Sequence, residues 1–378
     1  MILSISDIPE DKSVIIYGYG HSGEMLLRLL KLYRPNQEIK CIVDDNLSLN
    51  IEGIKTVDFN GLINIYEDGD LVLVSVLIHE KIVEKLRNYS NIEYSLVKLN
   101  YFHDENEFNN FEIFLNSSNG YIPQLYPLNM YPNSEKFNKV LSLFSSLEDK
   151  ILYSTIVKTW HDNGDLVKEY FVNNFQSIGR HYFEYMNFSD MNVVIEGGVA
   201  DGTNSIEFLS SLPSESKIYG FDPLFEDYCN LSHKNYLLNH NNFEIITKGL
   251  WDKKDLLSID ISGLLPLARV FEKNTLDLNK SKEIKVLSLD DFIREKKIAK
   301  IDFIKLDIDG AEINCLKGAI NTLKRDRPQL SISIYHRYED LYEIPLFLNE
   351  VLDNYTYRLG HYHYELGETV LYAFPNKN

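Results

Sequence analysis

Positive charge is in short supply in this sequence. Across 378 residues, 38 Lys and Arg face 56 Asp and Glu, a formal net charge of −18. A nucleic-acid partner calls for a basic footprint, and anionic lipid attracts basic segments, so this balance argues against both. Cysteine is equally sparse: Cys41, Cys229 and Cys315 show no metal-ligand spacing and read as reduced core thiols. No apolar run approaches membrane-spanning length, and Met1-Ile2-Leu3-Ser4 lacks a basic region followed by an apolar stretch. A cytoplasmic protein without membrane insertion is therefore expected. Internal repeats and low-complexity tracts are also missing, while richness in Asn, Lys and Ile points to an AT-rich bacterial source.

What is present suffices for two cores, since 44% of the residues are hydrophobic and the length exceeds the usual single-core range. The most informative stretch begins at Val193-Val194-Ile195, an apolar run suited to a buried parallel strand. It continues through Glu196-Gly197-Gly198-Val199-Ala200-Asp201-Gly202-Thr203, and Ile206, Phe208, Leu209 and Leu212 then open an amphipathic helix. A second strand, Lys217 to Phe221, ends in Asp222, placed like the acid that grips ribose hydroxyls in dinucleotide folds. The glycine pattern is not Gly-x-Gly-x-x-Gly, and Glu196 before it would repel a pyrophosphate. An adenosyl ligand without phosphates fits better, which points to S-adenosylmethionine, cationic at its sulfonium and amino groups. The alternative is that Gly197, Gly198 and Gly202 serve only to pack strand against helix.

Two more strands are expected, Lys300 to Leu306 followed by Asp307-Ile308-Asp309-Gly310-Ala311-Glu312, and Gln329 to Ile334 followed by Tyr335-His336. Between them Ile313, Leu316, Ile320 and Leu323 predict one helix, stopped by Asp326-Arg327-Pro328. Ligands of open α/β sheets lie beyond the carboxyl ends of the strands, so Glu196, Asp222, Asp307, Asp309 and His336 should converge on one crevice.

These residues resemble the FkbM family of methyltransferases over roughly 190–375. The likeness rests on Glu196-Gly197-Gly198 through Gly202-Thr203, Phe221-Asp222-Pro223, the run Asp302 to Glu312 with its Lys305-x-Asp307-x-Asp309-Gly310-x-Glu312 pattern, Leu316-Lys317-Gly318-Ala319, Arg327-Pro328 and Tyr335-His336. The resemblance implies a class-I S-adenosylmethionine fold and O-methylation of sugars or related metabolites. It would give cofactor contacts to Glu196, Gly197, Gly198, Asp201, Gly202, Thr203 and Asp222. Asp222 and Asp309 stand where the family usually has Glu, and Glu196 where it commonly has Asp.

Methyl transfer to an alcohol needs alignment and removal of a proton. His336 is the candidate base, with a hydrogen-bonded bystander as the alternative reading, and Asp307 could orient the acceptor, act as base or bind a cation. Asp309 is assigned to the acceptor, and so is Arg180, which alternatively caps its local helix. No required metal is expected, because Asp307, Asp309, Glu312 and His336 match no compact metal loop; Glu312 would equally suit a first helical turn.

The first hundred residues contain a second glycine loop. Strand Ser13 to Tyr17 precedes Gly18-x-Gly20-x-x-Gly23, a helix opens with Met25, Leu26, Leu29 and Leu30, and strand Ile39 to Val43 ends in Asp44-Asp45-Asn46. With a third strand at Leu71 to Val76, this is the context of a nucleotide fingerprint. With three or four strands, the unit resembles the small domain preceding sugar acetyltransferases of the PglD type, which implies a nucleotide-sugar pocket at Gly18, Gly20, Gly23 and Asp44 or Asp45. A relic fold that only docks partners is the alternative, and His21 is either a ligand contact or a solvent-facing loop residue.

The expected organisation is an α/β protein with a Rossmann-like domain at 1–100, a helical bridge or lid at 101–189 and a methyltransferase domain at 190–378. The leading function is an S-adenosylmethionine-dependent O-methyltransferase of surface-polysaccharide or related biosynthesis, acting on a sugar or nucleotide-sugar. The alternative is a cofactor-binding scaffold without turnover. A nicotinamide oxidoreductase ranks below both, because no tyrosine-lysine or histidine-acid pair stands near the first loop. A homo-oligomer is compatible with the sequence and not fixed by it.

Overall fold

Short, largely apolar runs build the two sheet centres. In the computed structural model Val14–Tyr17 (β1) and Leu71–Val74 (β4) are buried along their whole length, as are Phe303–Leu306 (β13) and most of Val193–Gly197 (β6). Strands covered on both faces have this composition, and parallel pairing follows from helical crossovers. The structure describes all residues except 1, 3–4, 46–49, 77, 98–104, 118–121, 163–164, 175–180, 261–269, 272–280 and 377–378. The chain divides into two units, Met1–Ser117 with Val172–Arg180, and Ser118–Phe171 with His181–Asn378.

The first unit adds α1 (His21–Tyr33), β2 (Ile39–Val43), β3 (Thr56–Val57), α2 (Phe59–Ile65), α3 (Glu80–Arg87), β5 (Tyr94–Leu96) and α4 (Glu105–Ser117). Its five parallel strands run in the order β3-β2-β1-β4-β5. Three or four strands were legible in the sequence; β3 and β5, two and three half-buried residues long, are too short to show a pattern.

The second unit begins with α5 (Ser134–Leu143) and α6 (Leu147–Asp162); α7 (Leu166–Asn174) straddles the division. The segment expected as one bridge is thus shared, with α4 in the first unit and α5 and α6 in the second. Then come α8 (Thr203–Ser211), β7 (Lys217–Phe221), α9 (Phe225–Tyr228), α10 (Leu231–Leu238), β8 (Phe243–Ile246), β9 (Gly249–Trp251), β10 (Asp255–Asp260), β11 (Val270–Phe271), β12 (Ser281–Ser288) and α11 (Leu289–Lys296). After β13 follow α12 (Glu312–Lys317), α13 (Ile320–Asp326), β14 (Gln329–Ser333), α14 (Asp340–Val351), β15 (Tyr355–His361) and β16 (Thr369–Pro375).

Seven strands form the main sheet, in the order β15-β16-β14-β13-β6-β7-β8. From β14 to β8 the neighbours are parallel, while β16 runs antiparallel to β14 and to β15. A smaller sheet, β11-β10-β12-β9, lies between β8 and β13 in the chain. Phe208 on α8 stacks on Phe183 at 4.6 Å and meets Phe303 of β13 edge-on at 5.6 Å, contacts worth about 0.5–1.5 kcal/mol each beyond area burial. They seat α8 on the sheet and so fix the loop that precedes it.

The single helix expected over Ile313–Leu323 is two. Gly318 breaks it, because its backbone lies so close to Trp251 that an added Cβ would stand 2.2 Å from that carbonyl oxygen. Asp290 then accepts from the backbone of Asn321 and Thr322 and caps α13.

Candidate functional site

At the centre of the main sheet the chain moves outward in both directions, from β6 to β7 and from β13 to β14. Such a switch point leaves a crevice at the carboxyl ends. Leu306 pairs with Gly197 and Gly197 with Phe221, so the residues following β6, β7 and β13 are level with one another.

The glycine loop is held from below. Gly198, at φ 80°, lies against the end of β13, where an added Cβ would stand 1.8 Å from the Asp307 carbonyl oxygen. Its lack of a side chain is demanded by this contact with the protein's own backbone, and at Gly197 the obstructing atoms are likewise Leu306, Ile308 and Leu250. Of the two readings of this turn, close packing explains both residues. Gly202, at φ 89°, precedes α8, and Asp201 accepts from the backbone and hydroxyl of Thr203. Asp201 and Thr203 thus satisfy one another at the helix start.

Lys305, 1% exposed, donates to the Gly198 carbonyl at 2.7 Å and the Gly197 carbonyl at 3.3 Å, and lies over the Tyr182 ring. A buried ammonium needs such partners. Glu196 is fully buried beside it: one oxygen accepts from Ser205 at 2.6 Å and the other, Oε1, has no hydrogen-bond partner. Burial pushes its carboxyl up to about 7, against the opposing pull of Lys305 and Ser205. Glu196 is therefore closed off beneath the loop, where water does not reach it, rather than lining the crevice. Asp222 is half-buried at the end of β7 and accepts from Ala200 N at 2.9 Å and Leu224 N at 2.7 Å. Burial raises its carboxyl above the usual range, with those backbone donors opposing.

On the other side of the crevice, Asp307, Asp309 and His336 come together as anticipated. His336 Nδ1 lies 2.9 Å from Glu312 Oε1, and its Nε2 lies 3.4 Å from Asp307 Oδ1 and 3.8 Å from Asp309 Oδ1. Asp309 adopts φ 54°, a left-handed turn residue, and this turn brings both aspartates to one side of the imidazole. Tyr335 Oη lies 3.1 Å from Asp307 and 3.3 Å from Glu368, its one proton going to either carboxylate, and His181 lies 2.8 Å from Glu368.

These contacts decide the protonation states. Burial alone would depress the His336 imidazole, but Glu312, Asp307 and Asp309 outweigh it and raise it to about 10. Three carboxyl groups around a ring 7% exposed favour its protonated form, which weighs against His336 as the base and favours the reading of a hydrogen-bonded neighbour. Burial opposes ionisation of Asp307, yet Lys305 and His336 carry its carboxyl well below the usual range. Asp309 moves the other way, to about 8, through burial and the carboxylates Asp307 and Glu312, with His336 opposing.

Arg180, proposed for the acceptor, and its neighbours 177–179 lie outside the described residues, as do Asn46 and residues 118–121 of the linker loop. In the first unit, Gly23 allows α1 to touch the loop, since an added Cβ would stand 2.0 Å from the Gly18 carbonyl oxygen. Gly20 faces open space. Asp44 accepts from Tyr19 N at 3.0 Å, while Asp45 is committed to Phe59 N and Lys85. Sequence reasoning gave no role to Lys305, Ser205 or Glu368, and placed His181 only within a lid segment, 177–183. For Lys305 the signal was present, a lone charge inside an apolar strand.

Residues 196–359 match the model of the Methyltransferase FkbM domain. This segment of the chain is similar to FkbM methyltransferase domains. Its α/β sheet is the class-I arrangement expected from the resemblance. Among solved structures, methyltransferase FkbM from Methylobacillus flagellatus KT is 16% identical, with 97% of this chain and 90% of that chain covered and a TM-score of 0.47. An rRNA methylase from Streptococcus thermophilus is 18% identical over 50% of this chain and 90% of its own, TM-score 0.31. Fibrillarin from Aeropyrum pernix, solved with natively bound S-adenosyl-L-methionine, is 11% identical over 49% and 66%, TM-score 0.30. No curated protein matches the chain.

The donor set suits a cationic adenosyl ligand. Asp222, Asp307 and Asp309 are acidic side chains at the strand ends, with Asp307 held ionised, and Lys305 is turned inward to carbonyl oxygens. Asp222 accepts one backbone hydrogen bond at each oxygen, leaving lone pairs for a ribose diol. Asp307, Glu312 and His336 also offer three converging ligand atoms to a metal.

Proposed function

We propose that the FkbM-like domain uses S-adenosylmethionine to methylate a hydroxyl of a sugar or nucleotide-linked glycan precursor. The observation that carries this reading is the acidic switch-point crevice, with Asp222 on one side and Asp307 and Asp309 on the other. Bound there, S-adenosylmethionine supplies a methyl group already activated on a sulfonium.

The chain's own residues do the rest. Lys305 and the packing of Gly198 on Asp307 hold the loop rigid, so alignment of the acceptor costs little reorganisation. Asp307, kept ionised, takes the proton of the acceptor hydroxyl, and Asp309, whose side chain is 34% exposed, orients that hydroxyl. His336, at 7% exposure, holds the aspartates in place.

A small acceptor rather than a nucleic acid is supported by the net charge of −18. Recruitment of a nucleotide-linked acceptor is assigned to the first unit, on its parallel sheet, its Gly18-x-Gly20-x-x-Gly23 loop and the open space at Gly20. The protein acts in surface-polysaccharide or related biosynthesis on this reading.

The test is calorimetric titration of the full chain with S-adenosylhomocysteine, followed by transfer of labelled methyl to a panel of nucleotide-sugars. Binding with transfer to a sugar hydroxyl supports the proposal. Binding without transfer to any sugar would favour a scaffold, and no binding would remove the methyl donor.

A further inference from the structure

The loops after β13 and β14 contain a feature that methyl transfer from a sulfonium does not require. Asp307, Glu312 and His336 each offer one ligand atom, and the three atoms lie within 4.8 Å of one another. Two of the side chains are almost wholly enclosed: Glu312 is 0% exposed and His336 7%. Glu312 uses Oε1 twice, accepting from Ile308 N at 2.8 Å and lying 2.9 Å from His336 Nδ1, while its Oε2 is buried with no hydrogen-bond partner. An unpartnered buried oxygen costs about 1–3 kcal/mol, more on a charged group, and nothing in the fold requires it. A cation at that oxygen would remove the penalty.

We propose that Asp307, Glu312 and His336 form a binding site for a divalent cation of the Mn2+ type. Two carboxylates and one imidazole, whose proton the cation would displace to water on binding, make an oxygen-rich set with a borderline nitrogen and no thiolate, which suits Mn2+ and, more weakly, Mg2+. Three protein ligands leave further positions of an octahedral ion open to water or to substrate oxygens. The ligands are already oriented from outside: Tyr335 Oη lies 3.1 Å from Asp307, and Ile308 N fixes Glu312, as outer partners do in metal sites. The sequence hid this arrangement because the ligands come from two neighbouring strand ends and not from one loop. The nearby cationic side chains are engaged elsewhere, Lys305 with the glycine-loop carbonyls and Arg337 with Asp340. In the crevice the ion would hold the acceptor's oxygen and make its hydroxyl more acidic; this role, unlike the binding itself, rests on the methyl-transfer reading.

The experiment uses the full-length protein, stripped with chelator and titrated with Mn2+ at neutral pH by electron paramagnetic resonance, with S-adenosylhomocysteine binding measured in parallel. One tight site per chain is expected, weakened roughly 10- to 100-fold in Glu312→Gln and in Asp307→Asn, magnitudes typical of perturbed metal sites. The unmodified protein supplies a check that no misfolded variant can confuse, nitrogen coupling from the His336 imidazole in the electron spin echo of bound Mn2+. Absence of a tight site, absence of nitrogen coupling, or equal affinity in both variants would overturn the proposal. S-adenosylhomocysteine binding without Mn2+ binding would remove the cation alone; Mn2+ binding without S-adenosylhomocysteine binding would keep the cation and remove the methyl donor.

Discussion

Glu196 makes the stability of the methyltransferase unit pH-dependent in an unusual direction. Burial raises its carboxyl from an ordinary 4.5 to about 7. Folding therefore favours the protonated form: the contribution is fully present below pH 4.5 and is lost as the pH rises through 7. That shift corresponds to about 3 kcal/mol, most of which falls between pH 5 and pH 8. Glu196→Gln keeps the shape and an acceptor for Ser205 while removing the titration. The variant should gain on the wild type by about 2–3 kcal/mol between those two pH values, because every other titrating group cancels in the difference. Urea denaturation at pH 5, 6, 7 and 8, read by tryptophan fluorescence without ligand, measures it. With a slope of about 3 kcal/mol per molar, the gap between midpoints should widen by about 0.8 M. A gap that stays constant across the series would refute the reasoning, since Glu196 would then not be titrating in its buried site.

Three further outcomes are expected. Asp222→Ala should weaken S-adenosylhomocysteine binding roughly 10- to 100-fold by calorimetry, the size of a charge-assisted hydrogen bond, and Asp222→Asn should weaken it less because its oxygen still accepts from the loop. Gly198→Ala should cost about 2–5 kcal/mol in chemical denaturation, combining a left-handed backbone with overlap on the Asp307 carbonyl. Arg358 bonds Asp149 at 2.6 Å, and Asp149 is 2% exposed, so Arg358→Met should destabilise by about 3 kcal/mol, with Asp149→Leu in the same chain restoring part of the loss.

The sequence by itself determined the strands that carry the site. Val193 to Ile195 is an apolar run, and Phe303 to Leu306 and Leu330 to Ile334 are apolar but for Lys305, Ser331 and Ser333; each is bounded by polar turns, and burial on both faces writes most of that composition directly into the chain. It also determined that Glu196, Asp222, Asp307 and Asp309 stand at or just beyond strand ends, because position along a strand is a one-dimensional property. Short elements were not legible. β3 has two residues, and the break at Gly318 depends on a carbonyl 67 positions earlier in the chain. What each site residue does was decided only in three dimensions. His336 looked like a base because isolated imidazole titrates near neutrality, but three carboxyl groups from a neighbouring loop surround it. Glu196 looked like a ligand contact until burial closed it off. Gly197 and Gly198 looked like part of a cradle, and the structure shows residues at the end of β13 and just beyond it in the space where their side chains would go. Protonation, enclosure and close approach are set by neighbours distant in the chain, and that is information a local pattern does not hold.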